Sequence, residues 1–363
     1  MKKRIVFLIG LIIIGLSSCE KSEVNPIDQP QSCNVIEVKG KIDQATTWKA
    51  GNVYVLDGSN LRIEAVLTIE AGVTVKLKDA RIDVVGGKII AVGTAQKRIV
   101  FTSIADDRYC GDSNGDGNAT SPAKGDWTGI YLNGTTETIF QYVDIFYSGK
   151  NSGGSSNAFR ISGPNSVSFT FDNCRIAHTL YTESSYDSSC AFHGSSAMSD
   201  SKVSKFTNNV FFDNGKPLFI NAYYNLDSSN KFHNPDNPSQ ANTHNGIYLD
   251  FSGLDRTVTW SNTEVAYVLD EYCQVFGAST INIGPNVVVK FKRSSAGLQR
   301  NAPQNINLHN TAILTSYRDD AHAGDTNGDG NISSPIKGDW NGFYNAYNPR
   351  GYVQGANILY ATN

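Results

Sequence analysis

Basic charge is in short supply in this chain. Its 31 Lys and Arg face 34 Asp and Glu, for a formal net charge of −3, and no stretch gathers into a basic stripe. Nucleic acid is therefore not an expected partner. Methionine is nearly absent, with two residues, and few segments set Ala, Leu, Glu and Lys at helical spacing. That disfavours a helical body. The six histidines fall as scattered singles and the six cysteines show no metal-ligand spacing, so a zinc site is not expected. Long apolar runs are missing too, apart from Ile5–Leu16 behind Lys2, Lys3 and Arg4, which is too short and wrongly flanked for a spanning helix.

Turn and strand formers are abundant by contrast: 33 Gly, 17 Phe and 17 Tyr in a chain that is 40% hydrophobic and 18% charged. From Val35 to Thr102 short alternating runs are broken by Gly and Asp, as in Val53-Tyr54-Val55, Leu67-Thr68-Ile69, Val73–Leu77, Arg81–Val84 and Ile99–Phe101. Period-two alternation is the strand signal, and no room is left for crossover helices. Corresponding runs recur at the spacing of Ile69 and Ile89, which suits a coiled solenoid. Residues 149–257 add strands ending in Asn, such as Phe169–Asn173 and Lys205–Asn209, where stacked Asn side chains can satisfy corner backbone groups. Gly153–Ser156 and Ser184–Ser201 are expected as protruding Ser/Gly-rich loops.

The chain also repeats itself. Gly111 answers Gly324 and Trp127 answers Trp340, each 213 positions on, as do Tyr54 and Tyr267, and Ile145 and Ile358. Trp48 answers Trp260, and Lys76 answers Lys290, with small indels. Two copies, about 46–148 and 258–363, flank an unduplicated middle at 149–257. At ~4.8 Å per stacked strand the duplicated loops are expected about ten coils, or roughly 45 to 50 Å, apart.

The repeated loops carry the best candidate chemistry. Asp112-Ser113-Asn114-Gly115-Asp116-Gly117 places oxygen side chains at alternate positions, like the front half of an EF-hand loop, but Ala123 stands where the closing Glu should be. Crowded carboxylates repel unless a cation or basic partner intervenes. Calcium is the expected cation, held by Asp112, Asn114, Asp116 and the Asn118 carbonyl, with Asp126 or Asp107 completing the shell. Asp325, Asn327, Asp329, Asn331, Asp339 and Asp320 are the second set. A stabilising role is expected for the ion rather than a catalytic one.

Leu16-Ser17-Ser18-Cys19 resembles the lipobox of bacterial lipoproteins, which implies cleavage of residues 1–18 and lipidation at Cys19. Glu20 and Glu23 beside Lys21 resemble the export tags of surface lipoproteins in the Bacteroides group, implying outer-membrane anchoring with surface exposure. Residues 19–34, with Pro26 and Pro30, read as a flexible tether. Leu67–Lys76, Gly93-Thr94-Ala95 and Ile99–Ser103 resemble the right-handed parallel β-helix proteins of pectin-lyase-like architecture, common among Bacteroidetes surface proteins. That implies an all-β, right-handed parallel β-helix over 35–363.

The expected function is then a non-enzymatic surface protein whose helix face binds a polysaccharide or another surface. The alternative is a polysaccharide lyase or glycoside hydrolase of the same class. For that, Arg160, Arg175, Lys202, Lys205, His178 and His193 are available without any spacing that marks a base. Phe219, Tyr223 and Tyr224 could stack on sugars, with core packing the plainer expectation. Among the cysteines, Cys174–Cys190 is the one pair to weigh, and separate thiols are preferred.

Overall fold

A computed structural model describes residues 33–363 except 135–136, 163–167, 184–188, 195–204, 225, 252–253 and 255. The leader, Cys19 and nearly all of the tether lie outside the described residues, as do Lys202 and most of the Ser184–Ser201 loop. Short runs become short strands because alternate residues are apolar. In Arg81–Val85, Ile82 and Val84 are buried while their neighbours are half-exposed. Each coil contributes three such strands, for example Asn52–Asp57, Leu61–Ile63 and Val66–Ile69, and the next coil repeats them at Thr74–Lys78, Arg81–Val85 and Lys88–Val92. Strands stack in parallel register on those one coil later, as in Tyr54↔Val75 and Leu67↔Ile89. The result is three long sheets of seven, eleven and six strands, a nearly all-β architecture consistent with a parallel β-helix. No helix among the described residues is long and apolar enough to cross a membrane.

The core is the inside of this prism. In the middle coils it is aromatic: Phe159 and Phe192 stack at 5.3 Å and Phe171 and Phe206 at 5.7 Å. Corners are held by asparagine ladders. Asn209 accepts from the Cys174 N–H and donates to the Phe171 carbonyl, and its own N–H donates to Asn230 Oδ1. Asn214 and Asn242 form a second ladder beneath Thr179. The adjoining turn residues Asn173 and Asn208 sit at φ 56° and 58°, the left-handed region that Asn tolerates. Cys190–Gly194, inside the expected Ser184–Ser201 loop, is instead a buried strand, because Ala191 and Phe192 have core faces to fill.

The duplication is visible in three dimensions. Trp48 stacks on Tyr54 at 4.5 Å, and Trp260 on Tyr267 at 5.2 Å. Yet the copies are out of phase around the axis. Asn52–Asp57, Thr74–Lys78 and Ile99–Ser103 lie in the seven-stranded sheet. Their counterparts Ala266–Leu269, Val288–Phe291 and Ile313–Ser316 extend the eleven-stranded one. The chain between makes a whole number of turns and one face more. Seven strand steps separate Gly129–Asn133 from Ile313–Ser316 in that sheet, about 34 Å at ~4.8 Å per step and less than the sequence suggested.

Residues before Trp48 form the first coil, whose outer strand edges carry the exposed Glu37, Lys39 and Lys41, charges that discourage edge pairing. After Tyr352, Ile358 and Ala361 bridge to Leu314 and Trp340 and cover the last described coil. The preferred separate thiols hold at Cys174 and Cys190, which are buried outside any disulfide, as is Cys273, but the cysteine expectation is corrected at Cys33 and Cys110, which form a disulfide across 77 residues. Cys174 and Cys190 both donate to backbone carbonyls instead of meeting each other.

Candidate metal centres in two duplicated loops

Each loop leaves a strand at a Thr-Ser pair. Thr102 Oγ1 donates to Asp106 at 2.6 Å and Thr315 Oγ1 to Asp319 at 2.5 Å. Ser103 Oγ donates to Asp126 at 2.5 Å and Ser316 Oγ to Asp339 at 2.6 Å, which ties departure to return. The return is anchored by a buried indole: Trp127 Nε1 donates to the Phe146 carbonyl at 2.8 Å and Trp340 Nε1 to the Leu359 carbonyl at 2.7 Å. Beneath each loop stands a buried lysine. Lys76 Nζ donates to the Gly111 carbonyl at 2.6 Å and Lys290 Nζ to that of Gly324 at 2.7 Å.

Within the loops, Asp112 accepts from the N–H groups of Gly115, Asp116 and Gly117, and Asp325 does the same for Gly328, Asp329 and Gly330. Such a fold-back needs φ near +72° at Gly115 and +71° at Gly328, which glycine reaches without strain. The turn brings Asp107, Asp112 and Asp116 together, with one carboxylate oxygen from each within 4.8 Å of the others; Asp320, Asp325 and Asp329 form the same cluster.

Those oxygens are incompletely served. Asp107 Oδ1, Asn114 Oδ1 and Asp116 Oδ1 are shut off from solvent without a hydrogen-bond partner, and so are both carboxylate oxygens of Asp320. Buried acceptors without donors are costly. Among the described residues neither lysine forms an ion pair with these acids: Lys76 donates to the Gly111 carbonyl, and Lys290 to the Gly324 carbonyl and the Thr326 hydroxyl. The electrostatics agree. Burial pushes the Asp107 carboxyl up, and Asp112 and Asp116 push the same way against the pull of Lys76. Burial and Asp325 push Asp320 up likewise. Asp112 is held low by its backbone donors, the Gly117 N–H foremost. An all-oxygen set with orphaned acceptors fits a hard divalent cation, and it offers nothing to a soft one.

The other expected residues are placed differently. Asn114 and Asn327 lie in the clusters, donating to Asp116 and Asp329. Asn118 and Asn331 are exposed, Asn331 at φ 68°. Asp126 and Asp339 lie outside the carboxylate clusters and brace the return, accepting from the Ala123 and Ile336 N–H groups. Thr120 and Ser333, which no motif marked, cap Asp116 and Asp329 with their hydroxyls. Their shared offset of four from the acid was the available signal.

The basic residues of the middle are mostly committed. Arg175 and Arg98 both pair with the buried Asp144, Lys205 with Asp172, and His178 with Asp213. Tyr224 is core, Tyr223 lies under Arg256, and Phe219 packs on His193. Comparisons with family models, curated proteins and solved structures return no match.

Proposed function

We propose that this chain is a non-enzymatic, lipid-anchored surface protein: a right-handed parallel β-helix of pectin-lyase-like architecture whose two loops bind calcium and whose faces bind a glycan or another surface. The observation that carries the calcium reading is the twice-built cluster of three carboxylates with buried, unpartnered oxygens. The ion would neutralise the acids and pin each loop to its coil, leaving a rigid scaffold. Binding is preferred to catalysis because Arg175, Lys205 and His178 are consumed in structural pairs, and His193, which is unpaired among the described residues, is buried beside Arg160 and Lys216 rather than open to a substrate. A lyase base needs a free group facing substrate.

Calorimetric titration of the full chain with calcium tests the first part. Two sites should appear, and no heat at millimolar calcium would overturn it. A glycan array run with calcium and with EDTA, followed by turnover assays on any ligand, separates binder from enzyme. For the anchor, Cys19→Ser should move the protein from the outer-membrane pellet to the soluble fraction. Persistence in the pellet would mean a different attachment.

A further inference from the structure

We infer that the outer side of the eleven-stranded sheet carries an oxyanion-binding site built from Tyr131, Arg160 and His193. These residues occupy adjacent rungs, Tyr131 opposite Arg160 and Arg160 opposite His193. All three point away from the core, because their strand neighbours Ile130, Leu132, Phe159, Ile161 and Phe192 fill it. Residues one rung apart on one face are within side-chain reach, and the Arg160 guanidinium carbon lies 5.9 Å from the Tyr131 ring centre.

Each of the three has an unserved polar atom. Tyr131 Oη, Arg160 Nε and His193 Nδ1 are shut off from solvent with no hydrogen-bond partner, and His193 as a whole is 6% exposed. Three neighbouring orphans of this kind are unusual, since each carries a desolvation cost. Their chemistry is of one type. Arg Nε and Tyr Oη donate, and a neutral imidazole can place its proton on Nδ1. A cluster of donors calls for an acceptor rather than a metal ion.

Charge narrows the choice. Arg160 has no carboxylate partner among the described residues. The nearest acid of the column, Asp83, is bound by Arg81 at 2.8 Å. Lys216 adds positive potential on the far side of His193. An uncompensated guanidinium flanked by two further donors suits a carboxylate, sulfate or phosphate oxygen. Tyr131 and Arg160 remain half-exposed, so the site lies at the surface, and a ligand reaches the three enclosed donor atoms once those two side chains turn outward. The site stands on this geometry alone and holds whether or not the calcium or glycan readings do.

The test is a titration of the full chain, carrying ring-labelled histidine, with sodium sulfate, phosphate or acetate against chloride at constant ionic strength. The His193 resonance, assigned with His193→Gln, should shift saturably with at least one oxyanion and not with chloride. Preference for sulfate and phosphate assigns a tetrahedral group, and preference for acetate a carboxylate. Losing a charge-assisted hydrogen bond, Arg160→Gln should weaken binding about tenfold or more. Arg160→Lys, which keeps the charge and stem and should keep the fold, should also weaken it. Arg62→Gln, two rungs from Tyr131 in the same column, should leave affinity unchanged. No saturable shift, an equal response to chloride, or equal weakening by Arg62→Gln would overturn the site.

Discussion

His193 shows how one buried side chain sets a pH limit. Burial pushes its imidazole down to about 4, and the charges of Arg160 and Lys216 push the same way. The unfolded chain carries an ordinary histidine at about 6.5. Between these values the unfolded state binds the extra proton, so stability falls as pH drops from about 6.5 towards 4. Above 6.5 both states are neutral and the residue is silent. The loss has an upper bound of ~3 kcal/mol at 1.36 kcal/mol per unit. In chloride buffer, urea unfolding of the parent should therefore lose stability through that window more steeply than His193→Gln, with the two slopes converging above pH 7. Parallel profiles across the whole range would show that His193 is not held neutral. Nothing in the primary structure reveals this environment: Tyr131, Arg160 and His193 are separated by 29 and 33 residues, and only the lengths of intervening coils bring them onto one column.

At the level of the element, the coil corner is what makes short strands viable. A strand of three or four residues cannot hold itself, so its ends must be satisfied by neighbours above and below. Asn209 does this for three partners at once, through Cys174 N–H, the Phe171 carbonyl and Asn230 Oδ1. Asn209→Ala leaves buried groups unserved, each costing ~1–3 kcal/mol. The expected loss is about 2–4 kcal/mol in urea unfolding, larger than that of Asn208→Ala, which gives up one hydrogen bond to Asp172 and places Ala at φ 58°. Similar small losses for both would mean that water replaces the ladder. These corners were legible, because Asn follows several apolar runs of the middle, as at Asn173, Asn208 and Asn214, and so were the strands, whose inward residues alternate. The indole anchors could be read from Trp127 and Trp340 recurring in step. The Cys33–Cys110 bridge could not. Its partners lie 77 residues apart, Cys110 has Ala323 as counterpart, and contact arises only when the first loop folds back over the first coils. Among the carboxylates, sequence proximity could not separate Asp107, which turns into the cluster, from Asp126, which Ser103 and the Ala123 N–H hold away from it.

Across the whole molecule the two copies share chemistry but not orientation. The first loop runs from the seven-stranded sheet to the eleven-stranded one, and the second leaves the eleven-stranded sheet for a new one. The clusters therefore sit at different corners, with about 34 Å of stacked strands between the loop bases. Sites that distant, sharing no partner, should behave independently. A cation bound only by the folded chain stabilises it by about 2.7 kcal/mol when free ion is a hundred times Kd. Chelation should thus lower Tm, and magnesium should restore it poorly because it resists dehydration and flexible coordination. Asp116→Ala and Asp329→Ala should each remove part of the calcium-dependent rise in Tm, and the double variant should remove close to the sum. The local environments are not identical: the first loop is stapled by Cys33–Cys110, whereas the second packs Thr326 against Tyr248 and Lys290. Reducing the disulfide should therefore enlarge the calcium response of the Asp116-dependent site and leave that of the Asp329-dependent site unchanged. Variants that melt like the parent in both calcium and EDTA would remove the ion from this account. A double variant losing far more or less than the sum would mean that the coils between the loops carry coupling, as a stack whose strands all pair with their neighbours could.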